Sequence, residues 1–205
     1  MRKIYVIFSS TDLKIGRMIR FVTQNSYNHC SVSLRKDMSE FYSFSRLYLS
    51  NPLIAGFAVE SPMRYTLSSR TGVKIVEVPV PETKFRAVER MIAEMSRRSE
   101  EYVYNYFSAA AYLFGARFQR DNAYTCAEFT NNVLKTAGIE MPKAANIEQM
   151  EGALKDYPTW EGRAVDCFSG LEGSWGGDRY LEHIGKRRSC VQIAKRLMML
   201  MLGHA

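Results

Sequence analysis

The sequence predicts an α+β domain, an antiparallel β-sheet packed against helices, and three features point there. Short β-prone runs recur at residues 3–8, in HCSVSL and EFYSFS, and at residues 73–80. Between and after them, apolar residues fall at helical spacing, as in Ile15, Met18, Ile19 and Val22, and in Phe85, Val88, Met91, Ile92 and Met95. The chain has 205 residues, enough to bury one well-formed core.

Each element has its own signal. Residues 3–8 form a short apolar run and read as a buried strand, after which Ser9–Thr11 turn the chain. Ile15, Met18, Ile19 and Val22 predict an amphipathic helix over residues 12–24, and the polar residues 25–28 predict a turn. HCSVSL and EFYSFS, separated by residues 35–39, read as a β-hairpin. Alternation puts Cys30, Val32 and Leu34 on one face of its first strand and His29, Ser31 and Ser33 on the other. On the second strand Tyr42 and Phe44 form the buried set, which places Ser43 on the His29 side.

Residues 51–69 hold short strand-like runs, of which 54–59 is the clearest, and residues 73–80 form another strand. Thr83 is the expected cap of the helix that carries the Phe85–Met95 stripe. Residues 102–114 are apolar nearly all round and predict a buried helix. Residues 126–137 predict a further helix, stopped by Gly138. A helix is expected over 146–155, and residues 158–177, rich in Gly, Trp and Asp, read as an irregular loop. Residues 189–202 predict a C-terminal helix with a methionine-rich apolar face and basic flanks. Packing of the helix against the domain is the expected arrangement, with docking on an anionic lipid surface or a dimer seam as alternatives. The division expected is a catalytic domain over residues 1–145 and a helical and irregular extension over 146–205 packed on it.

The net charge of +7 arises from dispersed basic residues, with no basic stripe interleaved with aromatics, so nucleic acid is not an expected partner. The apolar run near the N-terminus is shorter than the roughly 7–15 residues of a secretory signal core, and no stretch reaches the roughly 20 needed to span a bilayer. The expectation is a cytoplasmic protein. Four cysteines without a C-x-x-C pair and three histidines give no zinc pattern, so neither metal nor cofactor is expected.

The segment TCAEF carries the sharpest chemical signal. Thr125 and Glu128 form the S/T-x-x-E capping box, which sets Cys126 at the first helical position. Unpaired N–H groups and the helix dipole there favour a thiolate, and the same groups can receive an oxyanion. His29, at the start of a strand, is the only histidine inside a well-defined element; His183 lies in a polar segment and His204 near the end.

YNHCSVSL followed by EFYSFS resembles the histidine-bearing hairpin of permuted members of the NlpC-type papain-like superfamily. YTCAEFTNNVLKTAGIE resembles their nucleophile helix, and IYVIFSSTDLKIGRMIRFVTQNSY their opening strand and helix. The resemblance covers roughly residues 3–140. It implies a circularly permuted papain-like fold, with chain order histidine, third polar residue, cysteine. The superfamily includes bacterial cell-wall peptidases, amidases and acyltransferases related to lecithin:retinol acyltransferase. For this chain it implies Cys126 as nucleophile and His29 as base, acting through a thioester. Relatives place a His, Glu or Asn on the next strand to orient the imidazole. Strand parity puts Ser43 there; Glu40 lies on the opposite face, and Glu60, in AVESP, is a further candidate from a neighbouring strand. Tyr124 precedes the cap and either lines the cleft or packs. The leading expectation is a cysteine hydrolase acting on a peptide or amide substrate. Acyl transfer from a lipid or thioester, and a non-catalytic binding module on the same fold, are the rival expectations.

Overall fold

The computed structural model describes residues 1–11, 26–111, 120–142, 145–171 and 178–202. The helix expected over 12–24 lies outside them, as does His204. The described part is α+β, built on one eight-stranded sheet. In chain order the strands are β1 (Arg2–Ser10), β2 (His29–Ser33), β3 (Phe41–Tyr48), β4 (Asn51–Glu60), β5 (Gly72–Val80), β6 (Val103–Tyr104), β7 (Ala123–Tyr124) and β8 (Thr159–Arg163). The sheet order is β7-β6-β4-β3-β2-β1-β5-β8, antiparallel except for the β6–β7 pair.

Strand β1 is near the centre and is covered on both faces, which explains its unbroken apolar run. Ile4, Val6 and Phe8 enter the main core, while Tyr5 and Ile7 enter a second cluster on the other face. The main core is closed by α2 (Glu82–Arg97), α4 (Cys126–Thr136) and α5 (Ile147–Ala153). The second cluster is closed by Tyr65 of α1 (Met63–Thr66) and by Ala164 and Phe168 of α6 (Ala164–Phe168). Between α2 and α4 lies the short helix α3 (Tyr106–Ala111), and α7 (Lys186–Leu202) ends the described chain.

Helix α4 is delimited as the sequence predicts. Its capping box is complete, and Gly138 adopts φ +83°. The amide of Ile139 then reaches the Leu134 carbonyl at 3.0 Å and that of Gly138 the Lys135 carbonyl at 2.9 Å, the pattern of a Schellman stop. The hairpin of β2 and β3 also forms, with Val32 opposite Tyr42.

Several elements differ from the sequence reading. Helix α2 starts at Glu82 after Pro81, and Thr83 lies inside the first turn instead of capping it. Proline fixes the entry backbone, so no side-chain cap is required. Val103–Tyr104 is a strand, and the following helix begins only at Tyr106. Residues 159–163, read as loop, pair with β5 as an edge strand. Their exposure leaves no apolar alternation to read, and Trp160 lies over Gly162, where a Cβ would come within 2.8 Å of the indole. The expected extension over 146–205 thus adds a strand to the same sheet.

Helix α7 packs on β4, as expected, but only part of its apolar surface turns inward. Ser189, Arg196 and Leu200 point inward, while Met198, Met201 and Leu202 are exposed. The guanidinium of Arg196 donates to the carbonyls of Ala55 at 3.0 Å and Tyr102 at 3.3 Å. Both contacts cross Gly56, where a Cβ would lie 2.3 Å from the Tyr102 carbonyl and 2.7 Å from Arg196 Nη1. Gly56→Ala should therefore lower the unfolding free energy by about 3 kcal/mol or more, measured by urea denaturation.

Candidate active site

Cys126 occupies the first position of α4, and the box around it leaves that helix end well defined. Thr125 Oγ1 accepts the Glu128 amide at 3.2 Å, and Glu128 Oε2 accepts the Thr125 amide at 2.7 Å. Ser108 of α3 donates to the other Glu128 oxygen at 2.6 Å, tying the cap to the neighbouring helix. The first amides of a helix lack partners within it. The cap claims that of Glu128, and those of Cys126 and Ala127 belong to the same orphan set.

Helix α4 lies against β2, and this contact brings Cys126 to His29 and Cys30. A side-chain hydrogen bond joins His29 to Cys126, and another joins the Cys30 thiol to Cys126. The second imidazole contact is to Glu60, whose Oε2 lies 3.2 Å from His29 Nε2. Tyr65 donates its hydroxyl to the same carboxylate oxygen at 2.6 Å, and its ring stacks on the imidazole with centroids 6.3 Å apart. Arg64 Nη1 approaches the other carboxylate oxygen at 3.4 Å. Arg64 is held in turn by a two-pronged pair with Asp178 and by the Tyr180 ring, 4.3 Å from its guanidinium carbon.

These contacts set the protonation states. Hydrogen bonding from the Cys30 thiol outweighs burial and, with His29, holds the Cys126 thiol well below its ordinary range. Burial opposes the charged imidazole of His29, but Glu60 and Cys126 overcome it and push its pKa up to about 10. Burial likewise opposes the Glu60 anion, yet His29 and Arg64 bring it down to about 2. Cys30 moves the opposite way: burial, then the neighbouring Cys126, raise it well above the usual thiol range. At neutral pH the row is thus thiolate, imidazolium and carboxylate, with Cys30 a neutral thiol donor.

The row opens into a cleft of about 320 Å³ whose walls include Phe44, Tyr104, Tyr106 and Arg46. The Tyr104 hydroxyl has no hydrogen-bond partner among the described residues. Burial, then the Cys126 charge, hold that phenol well above its usual range, so it remains a donor beside the sulfur. Tyr124 is half-buried and packs against Phe44, with ring centroids 5.2 Å apart.

The structure brings Cys126 and His29 together and does not bring Ser43 to them. With Val32 opposite Tyr42, Ser43 falls on the predicted face but opposite Ser31; Ser45 is the residue across from His29. Ser43 is fully buried and donates to the Cys30 carbonyl at 2.8 Å. Parity was sufficient for the face, but the register needed the pairing itself. Glu40 accepts from Tyr42 at 2.7 Å and takes no part in the row. Glu60, the distant candidate, is the imidazole partner. Its sequence signal was an acidic residue ending an apolar strand, where a charge is costly unless paired. Tyr65, Arg64 and Tyr104 carried no sequence signal, because only the fold turns them toward the cleft. His183 lies on the exposed surface.

The alkylation rate of Cys126 by iodoacetamide should stay nearly flat between about pH 7 and 9, where an ordinary thiol of pKa near 8.5 gains up to about tenfold per unit. The lowered thiol pKa supplies the lower edge of that plateau and the raised imidazole pKa its upper edge. Glu60→Gln should move the upper edge down by about one to three pH units. Ser43→Ala should leave the profile in place and cost only about 1 kcal/mol of stability. Peptide mapping of the labelled protein across pH checks all three.

Comparison with known proteins gives no guide to this site: no protein-family model, no curated protein and no solved structure matches the chain.

Proposed function

We propose that the protein is a cysteine-dependent hydrolase that opens an amide or peptide bond through a thioester, on a circularly permuted papain-like fold of NlpC type. The observation that carries this reading is the row Cys126–His29–Glu60, with the thiol at a capped helix start and the imidazole in contact with both the thiol and Glu60. The chain order, histidine before cysteine, agrees with the permuted arrangement.

In this mechanism the Cys126 thiolate attacks the acyl carbon from the cleft. The carbonyl oxygen takes up the electron pair and is met by the N–H groups at the start of α4 and by the Tyr104 hydroxyl. The His29 imidazolium passes its proton to the departing nitrogen as the C–N bond breaks. A neutral imidazole then takes a proton from water, the hydroxide oxygen bonds to the thioester carbon, and the thiolate leaves. Glu60 keeps the imidazole oriented and charged, and Arg64 and Tyr65 keep Glu60 ionised.

A second reading is acyl transfer from a lipid or thioester, with an acceptor other than water resolving the intermediate. The aromatic walls supplied by Phe44, Tyr104 and Tyr106 favour it, since they suit an acyl chain as well as a peptide side chain.

A p-nitrophenyl acyl ester separates an enzyme from a binding module on this fold. Wild-type protein should release a burst of p-nitrophenol and carry the acyl group on the Cys126 peptide by mass spectrometry. Cys126→Ala should give neither, and His29→Ala should slow acylation by about 10²- to 10⁴-fold. The double variant should lose little more than either single one. Labelling of the wild type no faster than free cysteine would show a pocket without turnover.

A further inference from the structure

We infer that α7 is a surface-binding helix whose partner is a bilayer containing anionic lipid. The helix is 17 residues long, and much of its apolar surface faces away from the domain. At 3.6 residues per turn, Ser189, Ile193, Arg196 and Leu200 share the inward face. The opposite arc is formed by Val191, Ala194, Met198, Met201 and Leu202, with Leu197 at its edge. Val191, Met198 and Met201 are each more than half exposed, and Leu202 is 74% exposed. Ile193, Met199 and Leu200 already pack on the domain, so the exposed apolar arc lies beyond what packing of this helix uses.

Charge is distributed to match. Between Lys186 and Leu202 there are five basic residues and no acidic one. Arg196 is committed inward to the carbonyls of Ala55 and Tyr102. Lys186, Arg187, Arg188 and Lys195 are exposed. Lys186 borders one edge of the apolar arc, Arg188 and Lys195 the other, and Arg187 stands at its N-terminal end. The nearest carboxylate to Lys195 is that of Glu100, at 3.9 Å. Three of these cations stand in the first turn, where the helix dipole opposes positive charge. No acidic residue in that turn offsets them, and an anionic headgroup layer would.

The apolar arc is too small for a stable second copy. From Val191 to Leu202 it runs about 17 Å, at a helix width of about 10 Å. That is on the order of 200 Å², against about 800 Å² per partner in stable dimers. A bilayer takes the arc into its headgroup boundary and leaves the basic flanks among lipid phosphates, with their aliphatic stems against the apolar layer. Among the described residues no helix is long and apolar enough to cross a membrane, so the contact lies along the surface.

The test is co-sedimentation of the full chain with vesicles of phosphatidylcholine alone or with one-quarter phosphatidylglycerol, together with light scattering of the free protein. The expected result is a monomer that sediments with the phosphatidylglycerol vesicles only and is released by high salt. Met198→Glu with Met201→Glu should abolish sedimentation. Arg187→Gln with Arg188→Gln should lower partitioning about fivefold per residue changed. Circular dichroism confirms that each variant is folded, and the arginine pair serves if the methionine pair is not. Equal sedimentation with both vesicle types, no sedimentation, or a dimer that the methionine variant dissociates would overturn the proposal. None of these readouts depends on Cys126.

Discussion

A buried carboxylate at Glu60 is the constraint around which the site is organised. An anion removed from water must be matched by positive charge and hydrogen bonds, or it takes up a proton. Here the match comes from four directions: His29 of β2, Arg64 and Tyr65 of α1, and Ser45 of β3. The guanidinium of Arg64 is held beside Glu60 by Asp178 and Tyr180, far along the chain, and by Ser45 and the Arg46 carbonyl on β3. The peptide amides of Ser61 and Tyr180 bond to Asp178 at 2.8 and 3.0 Å, so the same cluster fixes the chain where β4 ends. Removing one member of such a set leaves the others with uncompensated charge, and costs of about 3–5 kcal/mol are usual for that.

The consequence at the other end of the row is electrostatic. Glu60 keeps a proton on His29, and that proton keeps one off Cys126. Cys30, on the core side, is the larger cause of the lowered Cys126 thiol pKa. Its burial holds it as a neutral thiol, so it can donate to the sulfur next to it instead of competing for the charge. The cap on α4 makes the geometry rigid, since Glu128 bonds to both Thr125 and Ser108. Nucleophile, base and orienting anion thus come from a helix start, a strand start and a strand end, each held by contacts of its own.

The same economy governs the C-terminal helix. Arg196 is spent on the carbonyls that β4 and the chain at Tyr102 present toward α7, and Gly56 leaves the room for it to do so. The inward face is mixed, with Ile193, Met199 and Leu200 beside Ser189 and Arg196, and Val191, Met198, Met201 and Leu202 are left on the outside. The packing of this helix therefore creates a surface that a sequence reading would assign to the core.

Local chemistry alone determined the fold class, the hairpin, the capped helix and the candidates Cys126 and His29. Capping boxes, a stop glycine and strand alternation act between residues a few positions apart, so they are legible in order along the chain. Tertiary structure decided the rest. Whether Ser43 or Ser45 faces His29 depends on register, and two-residue shifts preserve the face that alternation predicts. That Glu60 is the partner depends on two strands and a helix converging, with Asp178 118 positions away completing the set. The strand at 159–163 lay hidden because an exposed edge needs no apolar pattern. Which residues of α7 turn inward was hidden for the converse reason: periodicity gives the faces of a helix, and only the surface it meets decides which one is buried.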